Sequence, residues 1–466
     1  MAGEVHAGAA TEHRRAMRKV AGTALAGSCI EWYDFFLYGT AAALVFPVLF
    51  FPADMPPMVA LIASFSTFAV GFLARPIGGI VFGHMGDRVG RKKALVAALL
   101  IMGVATTLIG ALPSYAVIGP AAPLLLVLFR FAQGLAIGGQ WGGAVLLVTE
   151  NAPVNERGFW GSFAQVGAPC GVILANLAFL IVSNQLSTEA FMAWGWRVPF
   201  LLSVVLIGLS LYVQLHLEDT PAFRELEAAK QAHDAEQRAD AARAGGVDVA
   251  TPQARKASEA DTSPVLLALR KHPREILLGA GAFLSVQVTF YILITFVIAY
   301  GTRPEGLALP RETMLLAVLV GALVMVPAVI GSAWLSDRYG RRGIYMLGAV
   351  LLGAWGFALF PLIDTGEFAL ICLAIGVGQL FVSMMYGPQA ALLSELFSTE
   401  VRYSGASLGY QLGAIAGGGL APIIATALLA QQGGTIGISV YIAGASAMTV
   451  ASMLALRETY RDSLHG

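Results

Sequence analysis

The sequence predicts an all-α membrane protein of twelve transmembrane helices, arranged as two pseudo-symmetric six-helix bundles. Three observations lead there: apolar runs of membrane-spanning length recur along the chain, basic residues collect in alternate breaks between them, and several landmarks repeat about halfway along. Of 466 residues, 57% are hydrophobic and only 12% charged. Average soluble domains carry about a quarter charged residues, so this chain lacks the polar groups needed to cover its apolar ones in water.

Each run has to cross about 30 Å of hydrocarbon, which takes about 20 helical residues. Such runs lie near 20–47, 58–83, 94–112, 122–149, 159–183 and 196–216, then near 276–300, 313–335, 343–362, 368–394, 404–430 and 437–456. Several contain Gly or Pro, which lipid-embedded helices tolerate when neighbours satisfy the freed backbone groups. The first run is too long for a cleavable signal peptide and follows a basic tail holding Arg14, Arg15, Arg18 and Lys19.

Of the 29 Lys and Arg, 24 fall on one side of the alternating topology and three on the other. The positive-inside rule then places both termini in the cytoplasm and the chain in the cell membrane. The expected organisation is a cytoplasmic N-tail (1–19), a first bundle (20–216), a charged cytoplasmic linker (217–275), a second bundle (276–456) and a C-tail (457–466). The linker is rich in Ala and charge and has no apolar core, so it reads as a solvated tether.

The repeat is marked by its punctuation. Asp87-Arg88-Val-Gly90-Arg91-Lys92-Lys93 follows the second run, and Asp337-Arg338-Tyr-Gly340-Arg341-Arg342 follows the eighth. Glu150 precedes Arg157 by seven residues after the fourth run, as Glu395 precedes Arg402 after the tenth. Leu217-Glu-Asp-Thr220 and Leu456-Arg-Glu-Thr459 close the two halves. A constant order at nearly constant offset indicates a duplicated six-helix unit.

With that duplicated Asp-Arg-x-Gly-Arg motif, the whole chain resembles the major facilitator superfamily. More narrowly, Glu31-Trp-Tyr-Asp34-Phe-Phe-Leu-Tyr38, Arg75-Pro-Ile-Gly78, Arg130-Phe-Ala-Gln133-Gly134, Trp194-Gly-Trp-Arg197-Val-Pro199 and Glu218-Asp-Thr-Pro221 resemble the metabolite:proton symporters. That resemblance implies alternating access around a central cavity and import of shikimate, 2-oxoglutarate, citrate, or proline and betaine with protons. One departure stands out: the family's usual Glu in the GGEWGGA stretch is Gln140 here, and a Gln cannot release a proton.

Charge inside hydrocarbon costs on the order of 2.5–3.5 kcal/mol per group by insertion scales, so its presence marks function or a partner. Four ionisable side chains fall within the runs, Glu31, Asp34, Arg75 and Arg130, all in the first half. Glu31, Asp34 and Tyr38 are spaced i, i+3, i+7 and are expected on one face. The working expectation is a carboxylate–arginine pair, with Asp34, aided by Glu31, accepting the proton and Arg130 or Arg75 holding a substrate anion. The bland alternative is a fixed ion pair that only sets helix packing.

Uncharged candidates for the pocket are Tyr38, Gln133 and Gln140 in the first half. In the second half they are Gln287, Tyr291, Tyr386, Gln389, Tyr410 and Gln411, all of types that also serve as ordinary helix–helix glue. Gating charges are expected at the cytoplasmic edge: Asp87, Arg88, Arg91, Glu150 and Arg157, and their counterparts Asp337, Arg338, Arg341, Glu395 and Arg402. No P-loop, Ser/His/Asp arrangement or Cys/His cluster is evident, so the reading is a non-enzymatic transporter without cofactor or metal. Its partners would be a small solute, the proton and the bilayer, not nucleic acid, and it would function as a monomer. The preferred solute is a small organic acid. A proline- or betaine-like zwitterion, a proton-coupled exporter and a non-transporting sensor are the alternatives.

Overall fold

The computed structural model describes residues 2–89, 91–138, 148–149, 152–217, 269–397 and 402–460. Among the described residues there are twelve long helices, one for each apolar run. The first six are α1 (Ala2–Leu44), α2 (Pro57–Val89), α3 (Arg91–Ala111), α4 (Ala121–Gly138), α5 (Arg157–Gln185) and α6 (Arg197–Leu217). The second six are α7 (Pro273–Thr302), α8 (Arg311–Tyr339), α9 (Arg341–Ile363), α10 (Phe368–Leu396), α11 (Arg402–Gly413 continuing to Gln432) and α12 (Ile436–Ala455). Among the described residues, nine helices are long and apolar enough to cross a bilayer on their own, and the bent pair Thr188–Gly195 and Arg197–Gly208 makes a tenth. Most of the linker at 217–275, the Glu150 region and Gln140 lie outside the described residues, as do the side chains of Asp87, Arg88, Arg91 and Arg402.

The two halves repeat one packing scheme. In the first, α1 packs on α5 and α6, α2 on α4, and α3 on α4 and α6; in the second, α7 packs on α11 and α12, α8 on α10, and α9 on α10 and α12. The halves meet along two seams related by the same symmetry, α5 against α8 and α2 against α11.

Small residues set the closest approaches, as membrane helices require where no hydrophobic drive distinguishes lipid from protein. A Cβ on Gly78 would lie 1.9 Å from the Leu135 carbonyl oxygen, and one on Gly138 1.9 Å from that of Arg75. The α2–α4 seam is thus backbone against backbone, which brings Arg75 and Arg130 to the same neighbourhood. Gly340, the glycine of the second Asp-Arg-x-Gly-Arg motif, has φ +96° and links α8 to α9 in a conformation side chains disfavour.

Two helices depart from α geometry beside the centre of the molecule. A π-helical turn spans Ile292–Phe296 in α7 directly after Tyr291, and another spans Ala414–Gly419 in α11 shortly after Tyr410. Such turns widen a helix locally and recur at functional sites. The one in α11 carries Gly418 against Tyr291 and Phe72, where a Cβ would come within 2.6 and 2.8 Å of their rings.

Candidate functional site

Arg75 and Arg130 are 1% and 0% exposed. Both guanidinium groups lie over the ring of Phe35 on α1, 4.3 and 4.0 Å from its centroid. Phe72 and Trp32 complete the surroundings of Arg75, at 4.4 and 5.5 Å. Tyr38 and Phe68 complete those of Arg130, at 4.3 and 4.6 Å. Desolvated cation–π contacts contribute about 2 kcal/mol or more and here offset part of the burial cost.

Gly71 makes the slot that Arg130 occupies, since a Cβ there would lie 2.6 Å from Arg130 Nε. Arg130 Nε reaches the Phe68 carbonyl at 3.4 Å and Nη1 donates to Gln133 Oε1 at 3.1 Å. Gln133 Nε2 in turn donates to Thr106 Oγ1 at 2.8 Å. Among the described residues no carboxylate lies within ion-pair distance of either arginine. Arg75 Nε and Nη2 and Arg130 Nη2 have no hydrogen-bond partner among the described residues. Open guanidinium donors in a buried setting form an incomplete anion site.

The expected carboxylate–arginine pair does not form at Asp34. Asp34 is fully buried, its Oδ1 accepts from Ser203 on α6 at 2.6 Å, and its Oδ2 has no partner. Tyr38, expected on the same face, instead donates to Thr67 on α2 at 2.7 Å. At about 100° per residue the positions of Glu31, Asp34 and Tyr38 span about 60° of the helix circumference. On a helix packed on all sides, that arc is wide enough to reach different neighbours. Glu31, half-buried, is the carboxylate within electrostatic range of Arg75.

Against this cluster lies a closed cavity of about 10 Å³, room for about one water molecule. The second half supplies most of its wall, including Gln287, Tyr291, Tyr386 and Tyr410, while Trp32 and Ala168 come from the first. Tyr291 packs on Phe35, Phe68 and Phe72 (centroids 6.3, 5.8 and 5.1 Å), and its hydroxyl and that of Tyr410 approach Arg75. Gln389 and Gln411 are buried but do not line the cavity; both polar atoms of Gln389 and Oε1 of Gln411 lack partners. Gln165, which the sequence reading passed over, donates to the Tyr386 carbonyl at 3.3 Å across the halves, one turn from Ala168. No local pattern marked it.

The α5–α8 seam is tied at both ends. At one end Asp337 accepts from the backbone amides of Gly158 (2.9 Å) and Phe159 (2.8 Å), capping the start of α5 across the halves. Arg341 holds Asp337 at 2.5 Å and Glu395 at 3.0 Å, and Thr459 donates to Glu395 at 2.8 Å. Glu458 accepts from the backbone amides of Arg341 and Arg342, both at 3.0 Å. Glu458-Thr459 at the close of the second half, the counterpart of Asp219-Thr220 in the sequence, therefore seats the motif. Arg157 is buried within electrostatic range of Glu395. Arg338 holds no carboxylate among the described residues and stacks on Trp334 at 3.9 Å. At the other end, Ser183 donates to Glu312 and accepts from Arg311, a tie the sequence reading missed because its partners are 129 and 128 residues apart.

Twelve helices in two matched halves around an enclosed polar site define a membrane transporter, not an enzyme. A sequence profile described as "Sugar (and other) transporter" matches residues 20–464, and the chain belongs to that family, within the major facilitator superfamily. The chain is 42% identical over 453 residues to the "Inner membrane metabolite transport protein YhjE" of Escherichia coli K12, covering 96% of this chain and 95% of that one. It is 37% identical to the shikimate transporter of the same organism, covering 96% of each. It is 31% identical to the proline/betaine transporter of Salmonella typhimurium, covering 97% and 85%. Among solved structures, the partially occluded, inward-open xylose transporter XylE of E. coli superposes with a TM-score of 0.70 at 18% identity, covering 96% and 99%. That likeness concerns the fold.

Proposed function

We propose that this transporter imports a small organic anion with protons across the cell membrane by alternating access, acting as a monomer with both termini cytoplasmic. The observation that carries the reading is the pair of buried, ring-clamped guanidinium groups with open donors and, among the described residues, no carboxylate within ion-pair distance. A site so built lacks only an anion, and a substrate carboxylate matches a guanidinium bidentately.

Arg130 and Arg75 bind the carboxylate, while Gln287, Tyr291, Tyr386 and Tyr410 face the rest of the solute across the cavity. Asp34, whose Oδ2 is unpartnered, carries the proton, with Glu31 beside Arg75 in support. Gln140 then plays no part in protonation. Asp337, Arg341 and Glu395 close one entrance with Arg157, and the α5–α8 tie at Ser183 closes the other; rocking the halves breaks one set at a time. The positions equivalent in the first repeat, Asp87, Arg88, Arg91 and Glu150, and Arg402 in the second, complete the cytoplasmic gate in this reading.

The second reading is a zwitterionic osmolyte, favoured by the rings of Trp32, Phe290 and Tyr291 along the cavity, which suit a quaternary ammonium. Uptake into proteoliposomes under an imposed inward pH gradient, screened over monocarboxylates, dicarboxylates, shikimate-like acids and betaines, separates the two. Gradient-driven uptake of an acid supports the first reading, and betaine uptake alone overturns it. Gradient-driven efflux identifies an exporter, and binding without flux a sensor.

A further inference from the structure

A second, larger cavity of about 580 Å³ opens at the latch end of the α5–α8 seam, away from the central site. Its walls are the aromatic row Phe159, Trp160 and Phe163 on α5, Trp334 on α8, and the side chains of Arg18 on α1 and Arg338 on α8. The volume lies in the range of small-ligand sites. The two carboxylates in the wall are engaged elsewhere: Glu156 accepts from Trp160 Nε1 at 2.9 Å, and Asp337 serves Arg341 and the α5 amides. Among the described residues Arg18 and Arg338 have no carboxylate within ion-pair distance, so two guanidinium groups face the cavity without an ion pair.

Apart from Asn155 the rest of the wall is aromatic, and Trp334 carries it to the exposed face of α8. Phe159, Trp160 and Phe163 contact one another at 5.3, 5.4 and 5.9 Å between centroids. On α8, Trp334, Leu335 and Tyr339 are 42%, 37% and 75% exposed. With 29 residues, α8 is about 43 Å long, so its last turn reaches the headgroup level, where Trp and Tyr concentrate. A cavity between helices at that level that presents two guanidinium groups without an ion pair among the described residues is suited to a lipid phosphate.

We propose that this cavity binds the phosphate of an anionic phospholipid, clamped between Arg18 and Arg338, with its chains lying along the aromatic row. The bound lipid bridges the two halves beside Asp337 and strengthens the latch at that end. A soluble phosphate would leave the aromatic row unfilled, which is why the lipid is the occupant.

The test uses the full-length protein in a neutral detergent, titrated with dioleoyl phosphatidylglycerol, dioleoyl phosphatidylcholine or glycerol 3-phosphate while thermal unfolding is followed. Phosphatidylglycerol should raise the unfolding temperature saturably, and the other two should not. Arg18→Gln and Arg338→Gln should each weaken the apparent affinity about fivefold, and together about thirtyfold. Should Arg338→Gln fail to fold, Arg18→Gln, remote from the latch bonds, carries the test. Equal stabilisation by the two lipids, an undiminished effect in the Arg18 variant, or the same shift with glycerol 3-phosphate would overturn the proposal.

Discussion

Arg130 sits in a slot made by Gly71, where a Cβ would lie 2.6 Å from its Nε; 250 residues later Gly321 makes the same slot, with a Cβ 2.6 Å from Ile375 Cγ2. Arg130 lies 20 residues before Glu150, and Ile375 lies 20 before Glu395. Arg75 lies 12 residues before Asp87, and Met325, in the cavity wall, lies 12 before Asp337. The two halves thus keep one backbone architecture and this one glycine slot while placing cations in the first and apolar side chains in the second. Scaffold and chemistry are separable here. The shared glycine keeps the slot, and what fills it sets the site's charge.

Copying the second half onto the first breaks that asymmetry most directly. Arg130→Ile should leave the protein folded, since replacing a buried charge with an apolar group of similar volume is often neutral. It should cost about 2–5 kcal/mol of anion affinity, the range for removing one partner of a buried charge pair, measurable by substrate titration. Arg130→Lys should not restore binding, because an ammonium lacks the planar fork that stacks on Phe35. Comparable affinity in Arg130→Ile would remove Arg130 from the site.

The two glycine slots give the next contrast. Gly71→Ala and Gly321→Ala should each cost about 1–3 kcal/mol of stability by overpacking. Only the first displaces a guanidinium, so only it should weaken substrate binding beyond the loss of folded protein; equal effects on binding would mean the slot does not position the charge. The polar wall of the second half should matter least. Gln287→Leu and Tyr410→Phe each remove about 0.5–1.5 kcal/mol of hydrogen bonding, at most about tenfold in affinity, and should change the preference among acids more than the affinity for the carboxylate itself. Competition assays with acids of differing hydroxyl content would show this.

The helix count and the duplication were legible because both are local or periodic properties: an apolar run of spanning length, and Asp337 standing 250 residues after Asp87. Burial of Arg75 and Arg130 was legible too, since a charge within an apolar run has few other places to go. Their surroundings were not. Phe35 was one of several aromatic residues on α1, and nothing local distinguishes the ring that both guanidinium groups share. The partner of Asp34 is Ser203, 169 residues away, and a lone Ser in an apolar helix carries no signal. The i, i+3, i+7 spacing gave the right helix face to within about 60°, but that margin separates α2 from α6 as neighbours. At the latch, the motif's Asp and Arg stand out in the sequence, but their partners come from tertiary packing: the α5 amides depend on how the halves meet, and Glu395 on how α9 packs against α10.

The claim that the first half performs the coupling is tested most directly at Asp34. Asp34→Asn and the parent protein are reconstituted into liposomes, and two fluxes of the same acid are compared: accumulation driven by a pH gradient, and exchange against internal substrate with no gradient. Proton carriage at Asp34 predicts that the variant loses gradient-driven accumulation and retains exchange. Accumulation at the parent level in Asp34→Asn would place the coupling elsewhere in the molecule.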